Sequence, residues 1–344
     1  MIEYVLELLV AQLGLVIGVG LFIVVGIALL KQGADGLVNG SSNLGLRMGI
    51  SKVMTGLTIV AFGTSAPELV VSTLTALDGK PEICLGNVIG SNLANTALIL
   101  GVSALISPIA IQKSTLRREG LHSLLSIVIV LILAVISVQL DRLDGILLLA
   151  FFAIWMIWLI RDAKGQAKGQ VEALTHEVPN YQPRSWMVDL AYSSAGLLGL
   201  VLGANLLVEG AILSAKTMGI PVGFIGITVV AIGTSLPELA VSIVAAMKGH
   251  SELTVGNVFG SNIFNALLIL GVACLIRPFE FVPTPLDGQA ALSTLTIDLP
   301  YTVLICGLIL PMMIYKSRLG RLRGLLLLGL YVGFIGFLIW RLAA

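Results

Sequence analysis

The chain repeats itself. GLTIVAFGTSAPELVVS at 56–72 returns as GITVVAIGTSLPELAVS at 226–242, and LGNVIGSNLANTALILGV at 85–102 returns as VGNVFGSNIFNALLILGV at 255–272. The offset is 170 residues throughout, without a gap, and 30 of the 53 positions from 56 to 108 are identical to their partners at 226 to 278. Weaker matches reach back to Gly33-Ala34 against Gly203-Ala204 and to Met48-Gly49-Ile50 against Met218-Gly219-Ile220. Self-similarity over so long a register means that one structural unit is built twice.

Composition says what solvent surrounds that unit. Hydrophobic residues make up 57% of the 344 and charged residues 11%, with a mean hydropathy of +1.02. Soluble domains carry about 25% charged residues. A water-soluble enzyme and a disordered chain are therefore excluded, and most of the sequence reads as lipid-embedded. The net charge of +1 gives no electrostatic case for nucleic acid. Cys84, Cys274 and Cys306 lie far apart in apolar runs and fit neither a disulfide framework nor a zinc spacing, so they read as packed thiols.

A spanning helix needs about 20 mostly apolar residues. Ten stretches qualify, centred on 9–32, 53–77, 83–106, 121–138, 143–160, 190–215, 222–247, 253–276, 293–315 and 322–342. The Gly-rich stretch 33–50 reads either as a connection or as a continuation of the first span, and 278–292, with Pro278, Pro283 and Pro285, reads as a loop. Lys and Arg favour the cytoplasmic side. With both termini outside, fifteen of the twenty basic residues fall on inner segments and five on outer ones. Each copy then holds five spans. Five is odd, so the second copy is inverted relative to the first.

The expected fold is thus all-α and integral to the cell membrane, a multi-pass chain of ten transmembrane helices as two inverted five-helix repeats. The halves are residues 1–160 and 188–344, joined by a solvated cytoplasmic linker at 161–187. Inverted repeats of this kind build secondary transporters, whose sites form near the midplane where helices are interrupted and the copies meet.

The polar residues kept between copies point to the cargo. Glu68 and Glu238 each stand inside an apolar span. A charge at that depth costs at least about 2.5 kcal/mol and marks function by default. Pro67 and Pro237 lack an N–H and so loosen the carbonyls four residues back, at Gly63 and Gly233. Each G-T-S-x-P-E segment offers those carbonyls, two hydroxyls (Thr64 and Ser65, or Thr234 and Ser235) and one carboxylate. All are hard oxygen ligands, suited to Na⁺ or Ca²⁺ rather than zinc or copper.

The following span adds a stripe at i, i+4 and i+8: Asn87, Ser91 and Asn95, repeated as Asn257, Ser261 and Asn265. Beside the glutamates, ligand roles for Ser91, Asn95, Ser261 and Asn265 outweigh a role as helix glue. Gly86, Gly90 and Ala94 flank the first stripe as small residues that permit close helix approach, whereas the second has Gly256, Gly260 and Phe264. Glu209, Asp298 and His122 read as helix-end or packing features. Glu82 and Glu252 read as acids favourably set at helix N-termini.

The paired GTSAPE/GTSLPE and GNVIGSNLAN/GNVFGSNIFN segments resemble the two alpha-repeats of the calcium/cation antiporter superfamily, and within it the prokaryotic sodium/calcium exchangers. The resemblance implies cation sites between spans 2, 3, 7 and 8. It implies calcium ligation by Thr64, Glu68, Thr234 and Glu238, and sodium sites that add Ala61, Ser65, Ser91, Ala231, Ser235 and Ser261. Some relatives carry Asp where this chain has Asn265; with Asn95 and Asn265 both neutral, two acidic charges remain rather than three, which argues against potassium co-transport. The implied activity is exchange of Na⁺ for Ca²⁺ by a non-enzymatic antiporter, with the lipid bilayer and the transported ions as its partners and neither a cofactor nor an obligate protein partner. The alternatives are a Ca²⁺/H⁺ antiporter and, further off, a cation channel.

Overall fold

A computed structural model describes the chain apart from residues 1, 4, 7–9, 11–13, 111–112, 178–184, 218–230, 282–292, 315–317 and 344. It is built of helices. In chain order they are α1 (Leu15–Arg47), α2 (Lys52–Thr64), α3 (Ala66–Leu77), α4 (Ile83–Ile106), α5 (Lys113–Ser137) and α6 (Arg142–Glu177). Then come α7 (Trp186–Thr217), α8 (Leu236–Met247), α9 (Ser251–Ile276), α10 (Thr294–Ile314) and α11 (Arg321–Ala343). Among the described residues eight helices are long and apolar enough to cross a membrane, and nine if the bent pair α2 and α3 counts as one. The expected seventh span, 222–247, is represented by α8 and the short turn Ala231–Thr234, because its first nine residues lie outside the described ones, as does most of the expected 278–292 loop.

The structure decides two connections, the first of them between the alternatives that the sequence leaves open. The stretch 33–47 is helical, so α1 is one rod of 33 residues. Its glycines do not break it because they face a partner: α1 packs antiparallel on α7, with Gly33 against Gly196 and Gly26 against Gly203. A Cβ on Gly33 would stand 2.6 Å from the Leu200 amide nitrogen, so the two backbones touch. The expected linker also begins as helix, since α6 runs on to Glu177. The segment AKGQAKGQVEALTHE is rich in Ala, Lys, Gln and Glu, which favour helix even in water.

Four two-residue strands form two antiparallel pairs. β1 (Ile109–Ala110) pairs with β4 (Arg318–Leu319), and β2 (Gln139–Leu140) pairs with β3 (Phe279–Glu280). Each pair joins the end of a third or eighth predicted span to the turn between two spans of the other half. The halves are thus interlocked rather than laid side by side.

The buried centre is formed by α4 and α9, whose apolar windows are 72% and 78% buried, against 22% for α6 and α11. Leu57, Val88, Val258 and Phe259 pack there. On α9, Gly260 meets Leu57 and Ala61 of α2 so closely that an added Cβ would lie 2.7 Å from the Ala61 Cβ. The outer helices turn Val24, Ile136, Ile154 and Leu322 outward, as lipid contact requires. Cys84, Cys274 and Cys306 are buried free thiols.

Candidate cation site

The break that carries each glutamate is local. Helix α2 ends at Thr64, Ser65 turns with φ −83° and ψ 4°, and α3 starts at Ala66 with Pro67 in its first turn, at a bend of 44°. Proline is favoured in the first turn of a helix, where a missing N–H costs nothing. Pro67 therefore starts a new helix instead of kinking a continuous one. Ser235, at φ −87° and ψ 4°, opens α8 in the same way ahead of Pro237. Glu68 and Glu238 consequently sit in the first turns of α3 and α8, at the positive ends of two helix dipoles.

Contacts across the repeats bring these turns together. The Ser65 hydroxyl donates to Oε1 of Glu238 at 3.2 Å, and the Ser235 hydroxyl donates to Oγ of Ser91 at 3.3 Å. Thr64 Oγ1 donates to Oδ1 of Asn257 at 3.2 Å, and Thr234 Oγ1 donates to Oδ1 of Asn87 at 3.2 Å. The amide nitrogens of Asn87 and Asn257 in turn donate to Ser72 and Ser242, each at 3.1 Å. Thr64, Asn257 and Ser242 are the 170-residue counterparts of Thr234, Asn87 and Ser72, so one relay is built twice.

The glutamates are 1% exposed, as are Ser91, Asn95 and Asn265. Among the described residues, both carboxylate oxygens of Glu68, Oε2 of Glu238, the Ser261 hydroxyl and the side-chain amides of Asn95 and Asn265 have no hydrogen-bond partner. Buried polar atoms normally find partners. Leaving several orphaned costs about 1–3 kcal/mol each, unless a cation completes the oxygen cage. Asn95 and Asn265 each sit in a π-helical turn, Ala94–Ile99 in α4 and Phe264–Ile269 in α9. Such widened turns recur at functional sites.

Of the sequence candidates, Ser65 pairs with Glu238, Ser235 with Ser91, and Thr64 and Thr234 with Asn257 and Asn87, while Glu68 is buried with both carboxylate oxygens unpaired. The Ala61 carbonyl, implied as a sodium ligand, accepts the Ser65 N–H at 2.9 Å and the Thr64 hydroxyl at 3.4 Å. Ala231 opens the short turn Ala231–Thr234. Ser261, Asn95 and Asn265 are buried and unpaired as described above. Phe264 leans its ring edge-on to Phe62 at 5.7 Å, beside a small pocket lined by both rings and by Ser65, Ala66, Leu69, Leu268 and Ile269.

The minor candidates behave as packing features. Asp298 forms a two-pronged ion pair with Arg341, at 3.0 and 3.1 Å. His122 Nδ1 lies 3.6 Å from Glu119 and its ring rests on Trp158. Sequence reasoning passed over Ser72 and Ser242, which stand one turn past the glutamates. It also passed over Asn92 and Asn262, where Asn92 donates to the Asn262 carbonyl at 3.3 Å across the repeats. Their signal was present, since both pairs are identical between copies.

The chain matches the family described as sodium/calcium exchanger protein in two segments, residues 18–161 and 189–340. The chain belongs to the sodium/calcium exchanger family. It is 35% identical to the sodium/calcium exchanger MaX1 of Methanosarcina acetivorans, with 92% of this chain and 97% of that protein aligned. It is 32% identical to the inner membrane protein YrbG of Escherichia coli strain K12, over 92% and 96% of the two chains. A solved structure of the sodium-calcium exchanger NCX_Mj superposes with a TM-score of 0.77 at 31% identity, covering 94% of this chain and 99% of that one. The chain is accordingly a multi-pass helical membrane transporter of cations.

Proposed function

We propose that the chain exchanges Na⁺ for Ca²⁺ across the cell membrane by alternating access at a midplane site centred on Glu68 and Glu238. The observation that carries this reading is the set of buried, unpartnered oxygens gathered from both repeats around two carboxylates. Two carboxylates balance one Ca²⁺ or two Na⁺, so the two cargoes compete for the same acids. A further Na⁺ on neutral oxygens, Ser91 and Ser261 among them, makes the exchange sensitive to voltage. The activity borne by the names of MaX1 and NCX_Mj supports the same cargo.

The architecture proposed is ten spans in two inverted five-span halves, 1–160 and 188–344, on either side of the 161–187 linker. The strand pairs support it. Pairing of β1 with β4 and of β2 with β3 requires 109–110 and 318–319 on one side and 139–140 and 279–280 on one side. Alternation of ten spans with both termini outside satisfies both requirements, the first pair falling inside and the second outside. In this reading the glycine-packed pair α1 and α7 slides as a unit over the remaining helices.

The test is ion flux in proteoliposomes with Na⁺, K⁺ and H⁺ gradients imposed separately. Calcium uptake driven by Na⁺ alone is expected. Uptake driven by a proton gradient without sodium dependence would overturn the assignment in favour of a Ca²⁺/H⁺ antiporter, and downhill leak without counterflow would indicate a channel.

A further inference from the structure

The two repeats are equivalent in shape but not in charge at one contact. Lys248 caps the C-terminus of α8, and its Nζ lies 2.6 Å from Oδ1 of Asp35 and 3.1 Å from Oδ1 of Asn39. Asp35 and Asn39 are one turn apart on α1. Lys248 thus ties the α1 and α7 pair to the helices that carry the glutamates. The 170-residue offset gives the counterpart on the opposite face: Asp78 caps the C-terminus of α3, and the matching positions on α7 are Asn205 and Glu209. One face has a cation between an acid and an amide. The matching positions of the other hold an acid, an amide and a second acid. The scaffold is the same on both faces, since Gly79 and Gly249 take φ +74° and +73° beside the two caps.

Resting on the antiport reading above, we propose that Lys248, Asp35 and Asn39 form a one-sided latch that holds the α1 and α7 pair closed against the core on the cytoplasmic face. In an inverted repeat, closing the opposite face swaps the roles of the halves. In the swapped state the place of Lys248 is taken by Asp78 and that of Asp35 by Asn205, so the same lysine–aspartate pair cannot form. The latch therefore biases the equilibrium toward the state with the outer face open. The local surroundings favour Lys248 in this role. His250, two residues on, is kept below the usual imidazole range by burial and then by Lys52 and Lys248, so at neutral pH it adds no charge to compete for Asp35.

A ligand's apparent affinity falls with the fraction of protein in the competent state, so the latch is read as sidedness. In oriented proteoliposomes, Lys248→Gln should lower the half-saturating cytoplasmic Ca²⁺ and raise the external value, changing their ratio by about two- to five-fold, the span of one partly exposed ion pair. The charge-swapped Asp35→Lys/Lys248→Asp chain should restore the ratio. Asp78→Lys, which builds a latch on the outer face, should move the ratio in the same direction as Lys248→Gln by gaining a contact instead of losing one. Amide hydrogen exchange over residues 33–47 should quicken in Lys248→Gln and return in the swapped chain, a readout that needs no flux. Unchanged sidedness and exchange in Lys248→Gln and Asp78→Lys would overturn the latch. Absence of sodium-driven flux in the unaltered chain would overturn the antiport reading instead, and hydrogen exchange would still decide the latch.

Discussion

The hydroxyl of Ser65 donates to Oε1 of Glu238 at 3.2 Å, so an acid of the second repeat is held by a residue of the first. The two halves therefore meet at this carboxylate, and the proposed antiport needs both acids.

Glu68→Gln and Glu238→Gln keep the side-chain volume and remove the charge. Either change leaves one negative charge to balance Ca²⁺ in a buried cage. Sodium-driven Ca²⁺ uptake should fall by more than the roughly 10- to 100-fold that outer partners of a metal ligand command. Vesicle uptake of ⁴⁵Ca²⁺ measures this, and retained flux in either variant would refute the assignment.

Asn257 and Asn87 accept from Thr64 and Thr234 and donate to Ser242 and Ser72. They orient the threonines without carrying charge. Asn257→Ala and Asn87→Ala should each raise half-saturating Ca²⁺ by about 10- to 100-fold, the range of outer-shell partners. Asn257→Ser should recover part of the loss. Equal Ca²⁺ dependence in wild-type and Ala chains would remove these residues from the site.

Gly260 leaves no room for a side chain against Leu57 and Ala61, whereas Gly329 on α11 has no described atom near its missing Cβ. Gly260→Ala should destabilise the detergent-solubilised protein by about 1–3 kcal/mol through overpacking. Gly329→Ala should be neutral or stabilising by up to about 1 kcal/mol, because alanine favours helix. Thermal melting of both variants distinguishes packing from propensity.

A Cβ built on Gly45 would lie 3.2 Å from that of Thr55, close to the spacing that a disulfide spans. Gly45→Cys/Thr55→Cys should oxidise readily and pin α1 to α2. Exchange should stop on oxidation and return on reduction. If the crosslinked chain transports at the unmodified rate, α1 does not slide.

Much of this site was legible in the chain because its chemistry repeats. Glu68 with Glu238, Thr64 with Thr234 and Ser91 with Ser261 were marked by identity at one fixed offset inside apolar spans, and lipid makes such polar residues costly enough to be meaningful. The eight long apolar helices among the described residues were legible as well, because apolar length is set by bilayer thickness. The run of α1 through 33–47 was one of two open readings, since glycine disfavours helix in isolation and contact with α7 decides for it. The π-helical turns at Asn95 and Asn265 were not legible, because an added residue per turn follows from packing rather than from side-chain pattern.

The sequence by itself determined that the chain lives in lipid, that it is built twice, and which hard oxygen ligands stand inside its apolar spans, because solvent preference and ligand chemistry belong to individual side chains. Tertiary structure alone decided which oxygens pair across the repeats, that Thr64 answers to Asn257 and Ser65 to Glu238, and that Lys248 finds Asp35. Those are relations between residues more than a hundred positions apart. Only the folded backbone, through close glycine contacts and interlocked strands, sets the distances that make them bonds.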